Sequence, residues 1–429
     1  MTASDRRTAW PTGGPPGIVQ VEPDDGLDLR VGQPAPTLLP TDLVARHQAA
    51  ALDRYGPAAL AYGANAGPLP ARKALAAWTA GAEGGHWTAR DVFVTAGASH
   101  ALALLCEELG SPDARVLVQR ASYSLALDLF RRHRLRPLPV GADDCVPTAA
   151  ELVAAVRAAR RAGERIAFAY LQPTFHNPTG RTWTTAQRQA AVEACADLGV
   201  TVVEDDPYRE LYFGNPPPPS LIALGSRGAV IAVRTLSKVL APGLRVGCVV
   251  GGAALTARLE RAPLFAGGGG MAHIGALTVA SLLTSPEFPA HLQHVRVEYR
   301  ERRDALLGSL AAAGGTGARW ERPDGGFFVW LRLTGGVLAD AVEELSARYG
   351  AHVLHGAPFR ARPGDGGQAV RVSYSMHPAR TLATAGQALA WSLTEASGRN
   401  PADDHRTERA ADHSGGGPPP SDAHGRHGP

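Results

Sequence analysis

Ala229-Val-Ile-Ala-Val-Arg-Thr235-Leu-Ser237-Lys238-Val-Leu-Ala-Pro-Gly-Leu-Arg245-Val-Gly-Cys-Val-Val250 sets a polar loop after an apolar strand. The loop carries hydroxyls, an amine and a guanidinium, with the lysine seven residues before the arginine. Working outward, short apolar runs recur at Val92–Val94, Arg115–Gln119, Ile166–Leu171, Val200–Glu204, Ala229–Arg234 and Arg245–Val250. Between them lie Ala- and Leu-rich segments of helical period, such as Ser99–Leu109, Ala149–Ala162 and Thr185–Leu198. That alternation predicts an α/β fold, a mainly parallel sheet with helices on both faces. Beyond it, the charged stretch His291–Leu310 reads as one long helix, followed by strand-like Gly326–Leu333 and Ala369–Ser375, a smaller α+β domain.

The expected organisation is a flexible segment at 1–27, an arm with part of the small domain at 28–59, a large domain at 60–288, a small domain at 289–395 and a tail at 396–429. The tail, RNPADDHRTERAADHSGGGPPPSDAHGRHGP from Arg399, lacks the apolar content that would offset chain entropy, so disorder is expected there. Its His405, His413, His424 and His427 have no spacing suited to a rigid site.

The chain has 429 residues, enough to bury a large core. The formal charge is only +3 and no basic block is long enough to track a phosphate backbone, which argues against nucleic acid. Apolar runs fall short of a bilayer span and the start lacks an apolar leader, so a cytoplasmic, membrane-free protein is expected. Cys106, Cys145, Cys195 and Cys248 lie far apart without paired spacing, and they read as core thiols; no metal is expected. Among 43 basic residues only Lys73 and Lys238 are lysines, so amine chemistry has two candidates.

A lysine that condenses with an aldehyde must be reachable and partly desolvated, so that its neutral amine can attack. Lys238 has the surroundings for that role. Thr235, Ser237 and Arg245 suit a phosphate, through hydroxyl donors and a guanidinium fork. Val202-Val-Glu-Asp205-Asp206-Pro207-Tyr208 lies at the carboxyl end of a strand, where open α/β sheets hold ligands. A carboxylate there could keep a pyridine nitrogen protonated, with Tyr208 on a ring hydroxyl. Asp before Pro is equally a helix start, and these residues alone do not choose. Gln172-Pro-Thr-Phe-His176-Asn177-Pro-Thr-Gly180 is only a turn by itself, although a fixed Asn177 amide at a strand end can donate to a phenolate-like oxygen.

Together these residues resemble the fold-type-I, pyridoxal-phosphate-dependent aminotransferases of class I/II, above all the 2-aminoadipate and kynurenine aminotransferase group, across residues 28–392. The resemblance implies pyridoxal 5'-phosphate as cofactor, held as an imine on Lys238, with Asp205 on its ring nitrogen and Asn177 and Tyr208 on its ring oxygen. Tyr123 matches the residue stacked on the ring, and Thr235, Ser237 and Arg245 match the phosphate site. The turn Thr95-Ala-Gly97-Ala98-Ser99-His100 opens a helix whose free N–H groups attract anions. The group commonly has Gly-Ser-Gln-Gln here, so the run Gly97, Ala98, Ser99, His100 loses a side-chain contact; His100 either faces the helix interior or supplies a replacement.

Arg371, in Val370-Arg-Val-Ser-Tyr-Ser375, matches the binder of the substrate α-carboxylate, although alone it would read as an exposed strand arginine. Gly32-Gln-Pro34-Ala-Pro36 resembles the mobile loop over the substrate. Tyr62-Gly63 with Gly67 resembles the segment whose tyrosine reaches the neighbouring subunit's phosphate, which implies a two-fold dimer.

The implied reaction is transfer of an amino group between an L-amino acid and a 2-oxo acid, with ping-pong kinetics and Lys238 as the base. The same fold also supports elimination, cyclisation or oxidation of amino acids, and fold alone does not select among them. One regulator family fuses a winged-helix domain to such a body; the matching body here starts near residue 28, so a regulator of that kind is not expected. No second arginine can be assigned to a second substrate carboxylate.

Overall fold

A computed structural model describes residues 26–398 except 84, 143, 226, 227, 315, 363, 365 and 366. The expected N-terminal segment and C-terminal tail thus fall almost wholly outside the described residues. Strand β1 (Leu27–Asp28) pairs in parallel with Ala351–His352, far along the chain. The large sheet comprises β2 (Val92–Thr95), β3 (Arg115–Gln119), β4 (Arg136–Val140), β5 (Ile166–Leu171), β6 (Val202–Asp205), β7 (Val230–Thr235) and β8 (Gly247–Val250). Its spatial order is β2-β8-β7-β6-β5-β3-β4. Only β8 runs against its neighbours. The carboxyl ends of the other six therefore meet at one edge.

The expected strands appear within a few residues of their positions, and β4 is an addition. Pro137 and Pro139 hide it, because proline cannot donate to a ladder. They pair with Val116 and Val118 at the edge of the sheet, where the missing N–H costs nothing. The helices at Ala149–Arg161 and Thr185–Asp197 start at capping boxes, Thr148 with Glu151 and Thr184 with Gln187. Helix α1 (Ala98–Leu109) differs: its N-cap is Gly97, with no side-chain cap, so its first N–H groups keep their capacity for a ligand.

The second sheet joins β9 (Ala318–Arg319), β10 (Phe328–Leu333), β12 (Leu354–His355) and β13 (Ala369–Ser373) in the order β12-β13-β10-β9, with β11 (Ala351–His352) paired to β1. The long helix α2 runs Glu287–Ala312 and buries Tyr299, Leu306 and Leu310. It begins before the expected His291, with Glu287 in its first turn, where a negative side chain complements the helix dipole. Among the described residues no helix is long and apolar enough to cross a membrane. Cys106, Cys195 and Cys248 are buried as expected, but Cys145 is exposed, because it lies in the surface loop that follows edge strand β4.

One buried ion pair braces the middle of the large sheet. Glu204 on β6 and Arg234 on β7 are fully enclosed and meet at 2.8 Å. Glu204 also accepts the Leu221 N–H at 2.7 Å and the Ile222 N–H at 3.3 Å, which caps the short helix Leu221–Leu224. Burial opposes its charge, yet the Arg234 guanidinium and the Leu221 N–H hold the carboxyl below the usual range. Arg234→Met is expected to cost about 3–5 kcal/mol, since it strands a buried carboxylate. Urea unfolding of the cofactor-free protein measures it, and the double change with Glu204→Gln should recover part of the loss.

Candidate active site

The shared strand direction collects the loops after β2, β3, β5, β6 and β7 at one edge, the usual ligand position of an open α/β sheet. Asp205, the last residue of β6, is 2% exposed. The two-residue period of the strand turns its neighbour Glu204 toward Arg234 and Asp205 the opposite way. Two residues of the adjacent strand end, again two apart, reach Asp205. The Tyr170 hydroxyl donates to Oδ2 at 2.6 Å and the Gln172 amide donates to the same oxygen at 2.7 Å. Oδ1 is buried with no protein partner. Burial pushes this carboxyl up, and the two donors work against that shift. A buried acceptor left open beside two that fix its twin calls for a cationic or N–H partner from outside the chain.

Lys238 is half-buried in the loop between β7 and β8, and its Nζ donates to the Gly32 carbonyl at 2.6 Å. Burial first, then the charge of Arg371, lowers its amine to about 8, with Asp205 opposing. Gly32 must lack a side chain, because a Cβ would collide with the Phe328 ring. Below the lysine, the Thr235 hydroxyl donates to Ser237 Oγ at 2.9 Å and itself accepts the Ser237 N–H at 3.2 Å. Arg245, in left-handed backbone with φ 52°, donates to the Ala96 carbonyl at 2.9 Å. Its guanidinium thus overhangs Gly97, where an added Cβ would lie 2.8 Å from Nη2. Ala98 is half-buried and Ser99 exposed at the uncapped start of α1.

The side chain of His100 folds back on its own turn. Its Nδ1 accepts the Ala96 N–H at 3.0 Å, so the ring ties down its own turn and carries its proton on Nε2, which is buried without a partner. Burial lowers its pKa, so the neutral ring is favoured.

Arg371 on β13 is not an exposed strand arginine: it is 6% exposed. Nη1 donates to Asn177 Oδ1 at 3.0 Å, Nη2 donates to the Arg30 carbonyl, and Nε is buried without a partner. With Oδ1 of Asn177 committed to the guanidinium, its NH2 group is turned elsewhere as a donor. Tyr208 is buried against Phe327 and Phe328, with ring centres 5.3 and 5.9 Å away. Burial raises the Tyr123 hydroxyl to about 12, with a further rise from Asp205 and an opposing pull from Arg371. Lys238, Asp205, Asn177, Tyr208, Tyr123, Arg371 and Gly32 therefore converge, and Thr235, Ser237, Arg245 and Ala98–His100 form an adjoining cup. Tyr62 stands outside this group, 88% exposed. Tyr170, Gln172, Phe327 and Phe328 were not anticipated. Their signals were present in the two-residue period before Asn177 and in the Gly-Gly-Phe-Phe run at 325–328.

Residues 25–389 match the family described as aminotransferase class I and II. The chain belongs to this family. The 2-aminoadipate transaminase of Thermus thermophilus is 33% identical over 81% of this chain and 85% of that one. Among solved structures, the α-aminoadipate aminotransferase of Thermus thermophilus, complexed with N-(5'-phosphopyridoxyl)-L-leucine, is 31% identical with a TM-score of 0.77, covering 87% of this chain and 93% of that one. The kynurenine aminotransferase of Pyrococcus horikoshii reaches a TM-score of 0.81 at 27% identity, over 87% and 91% of the two chains.

This aminotransferase accordingly is a pyridoxal-phosphate enzyme that transfers amino groups. The residues present fit the cofactor. The open Asp205 Oδ1 suits a protonated ring nitrogen, and the uncapped helix start beside Arg245 suits its phosphate. The lowered pKa of Lys238 gives a testable pH dependence in the cofactor-free aminotransferase. A lysine is reactive only as the neutral amine, so the rate of covalent capture of pyridoxal phosphate should climb with pH and level off above about 8. Stopped-flow absorbance measures this, and a climb that continues to the ordinary lysine range would reject it.

Proposed function

We propose that this aminotransferase takes an L-amino acid and a 2-oxo acid in turn at one site built on Lys238, as a cytoplasmic homodimer. The bound cofactor supplies an electron sink for the α-carbon of the substrate. Lys238 accepts and returns the substrate α-proton, a task for which an amine poised near neutrality is suited. Asp205 holds a positive charge on the ring nitrogen, while Asn177 and Tyr208 serve the ring oxygen and Tyr123 the ring face. Thr235, Ser237, Arg245 and the turn Ala98-Ser99-His100 hold the phosphate. Arg371 takes the α-carboxylate of both substrates with its remaining N–H groups. Gly32 belongs to the loop over the substrate and closes on Lys238 through its carbonyl.

The division of labour follows the two sheets: residues 60–288 carry the cofactor, and 289–395 with 28–59 carry the carboxylate site. Tyr62 would serve the phosphate of a second copy, a role that its 88% exposure and that of Leu60 at 76% support. The observation that carries this reading is the pairing, in one site, of a desolvated lysine with a buried carboxylate that has one oxygen open. The test is a half-reaction. The reconstituted protein is mixed with L-2-aminoadipate, L-kynurenine, L-leucine or L-phenylalanine, without an acceptor. One equivalent of oxo acid per site is expected from at least one donor, with 2-oxoglutarate restoring the starting absorbance. Repeated turnover without an acceptor would instead indicate elimination or oxidation.

A further inference from the structure

Two aromatic rings face the guanidinium of Arg371, and they come from different parts of the chain. Phe328, on the neighbouring strand β10, has its ring centre 4.0 Å from Cζ. It reaches there because Arg371 lies opposite Trp330 in the β10–β13 register, so Phe328 is the diagonal neighbour on the same face. The second ring is Phe359, 4.7 Å from Cζ and fully buried. It sits outside the sheet, at the end of the short turn Ala357–Phe359.

The segment that carries Phe359 is fastened on both sides. Toward the small sheet, Gly356 N–H donates to the Ala369 carbonyl at 2.9 Å and the Trp330 ring packs edge-on at 5.8 Å. Toward the large sheet, the Phe359 carbonyl accepts the Ser122 N–H at 2.8 Å and Ala361 N–H donates to the Arg120 carbonyl at 3.1 Å. Ala121 and Arg360 form a bridge between those two bonds, and Arg360 continues to Asp144 at 3.1 Å. The residue after Ser122 is Tyr123. The strap 359–361 therefore ties the surroundings of Arg371 to the loop that carries Tyr123.

We propose that Phe359 is a positioning residue for recognition of the α-carboxylate. It acts through Arg371 by holding the guanidinium plane at a fixed height above the Tyr123 loop. A planar cation with one N–H on Asn177 and one on Arg30 can still pivot about its long side chain, and a flat ring beside it restricts that motion while favouring the charge. Both the amino donor and the oxo acid acceptor carry this carboxylate. Loss of the ring should weaken the two substrates alike and leave the cofactor untouched.

The inference rests on Arg371 as the carboxylate binder, and the experiment separates the two. Phe359→Leu and Phe359→Met both remove the ring at similar volume, so either can stand if the other fails to fold. The expected result, with whichever of the four donors is turned over and with 2-oxoglutarate, is a rise in KM of about tenfold for both. Turnover should stay within about threefold and pyridoxal phosphate affinity should not change, while Phe359→Tyr, which returns a ring, restores KM. Unchanged KM in the Leu and Met variants, or a loss of cofactor affinity as large as the rise in KM, would overturn the proposal. Arg371→Leu is run beside them. If that variant leaves both KM values alone, the reading of Arg371 itself fails, and the role of Phe359 falls with it.

Discussion

Replacing Lys238 with Ala is expected to abolish the visible absorbance that pyridoxal phosphate gains on covalent attachment, and to lower transamination by at least about 10⁴-fold. The alternative attachment point is Lys73, which is exposed on the helix Leu69–Glu83. For Lys238, by contrast, burial lowers the amine to about 8, which makes it available near neutral pH. Borohydride reduction and peptide mapping provide the measurement. A pyridoxyl mass on the peptide that holds residue 73, with activity retained in the variant, would refute the assignment.

The second large effect concerns Asp205. Asp205→Asn preserves size but removes the charge and turns one acceptor oxygen into an N–H donor, so an electron-poor ring would no longer be favoured beside it. A fall in kcat on the order of 10³-fold is expected, the scale for loss of a preorganised charge contact. Cofactor affinity should drop as well. The ¹⁵N resonance of labelled pyridoxal phosphate reports ring protonation directly, and an unshifted resonance in the variant would contradict this account. Tyr170 and Gln172 bear on the same point, because both donors oppose the rise in pKa that burial imposes on Asp205.

Several parts of this architecture are legible because their causes are local. The run around Lys238 declares a strand, a loop and a returning strand within 22 residues. Asn177 and Asp205 follow recognisable apolar runs, and a parallel sheet necessarily brings such strand ends together. Arg371 was readable only through resemblance. The strand in which it lies gives no sign that the arginine is 6% exposed or that Asn177, 194 residues away, accepts from it. Strand β4 escaped notice because its prolines are tolerated only at an edge, and edge position is a property of the assembled sheet. Tyr62 illustrates the opposite limit: its exposure is evident in the folded chain, whereas the role proposed for it needs a second copy.

The order of residues settles the alternation of strands and helices, the restriction of amine chemistry to two lysines and the types of group that follow each strand, since all of these depend on composition and spacing along the chain. Folding in three dimensions is needed to select Oδ1 of Asp205 as the open oxygen, to bring the Gly32 carbonyl to Lys238 across 206 residues and to set Phe359 against Arg371. Those outcomes rest on distances and angles between distant segments. The twist and register of packed sheets generate them, and no periodicity within one segment encodes them.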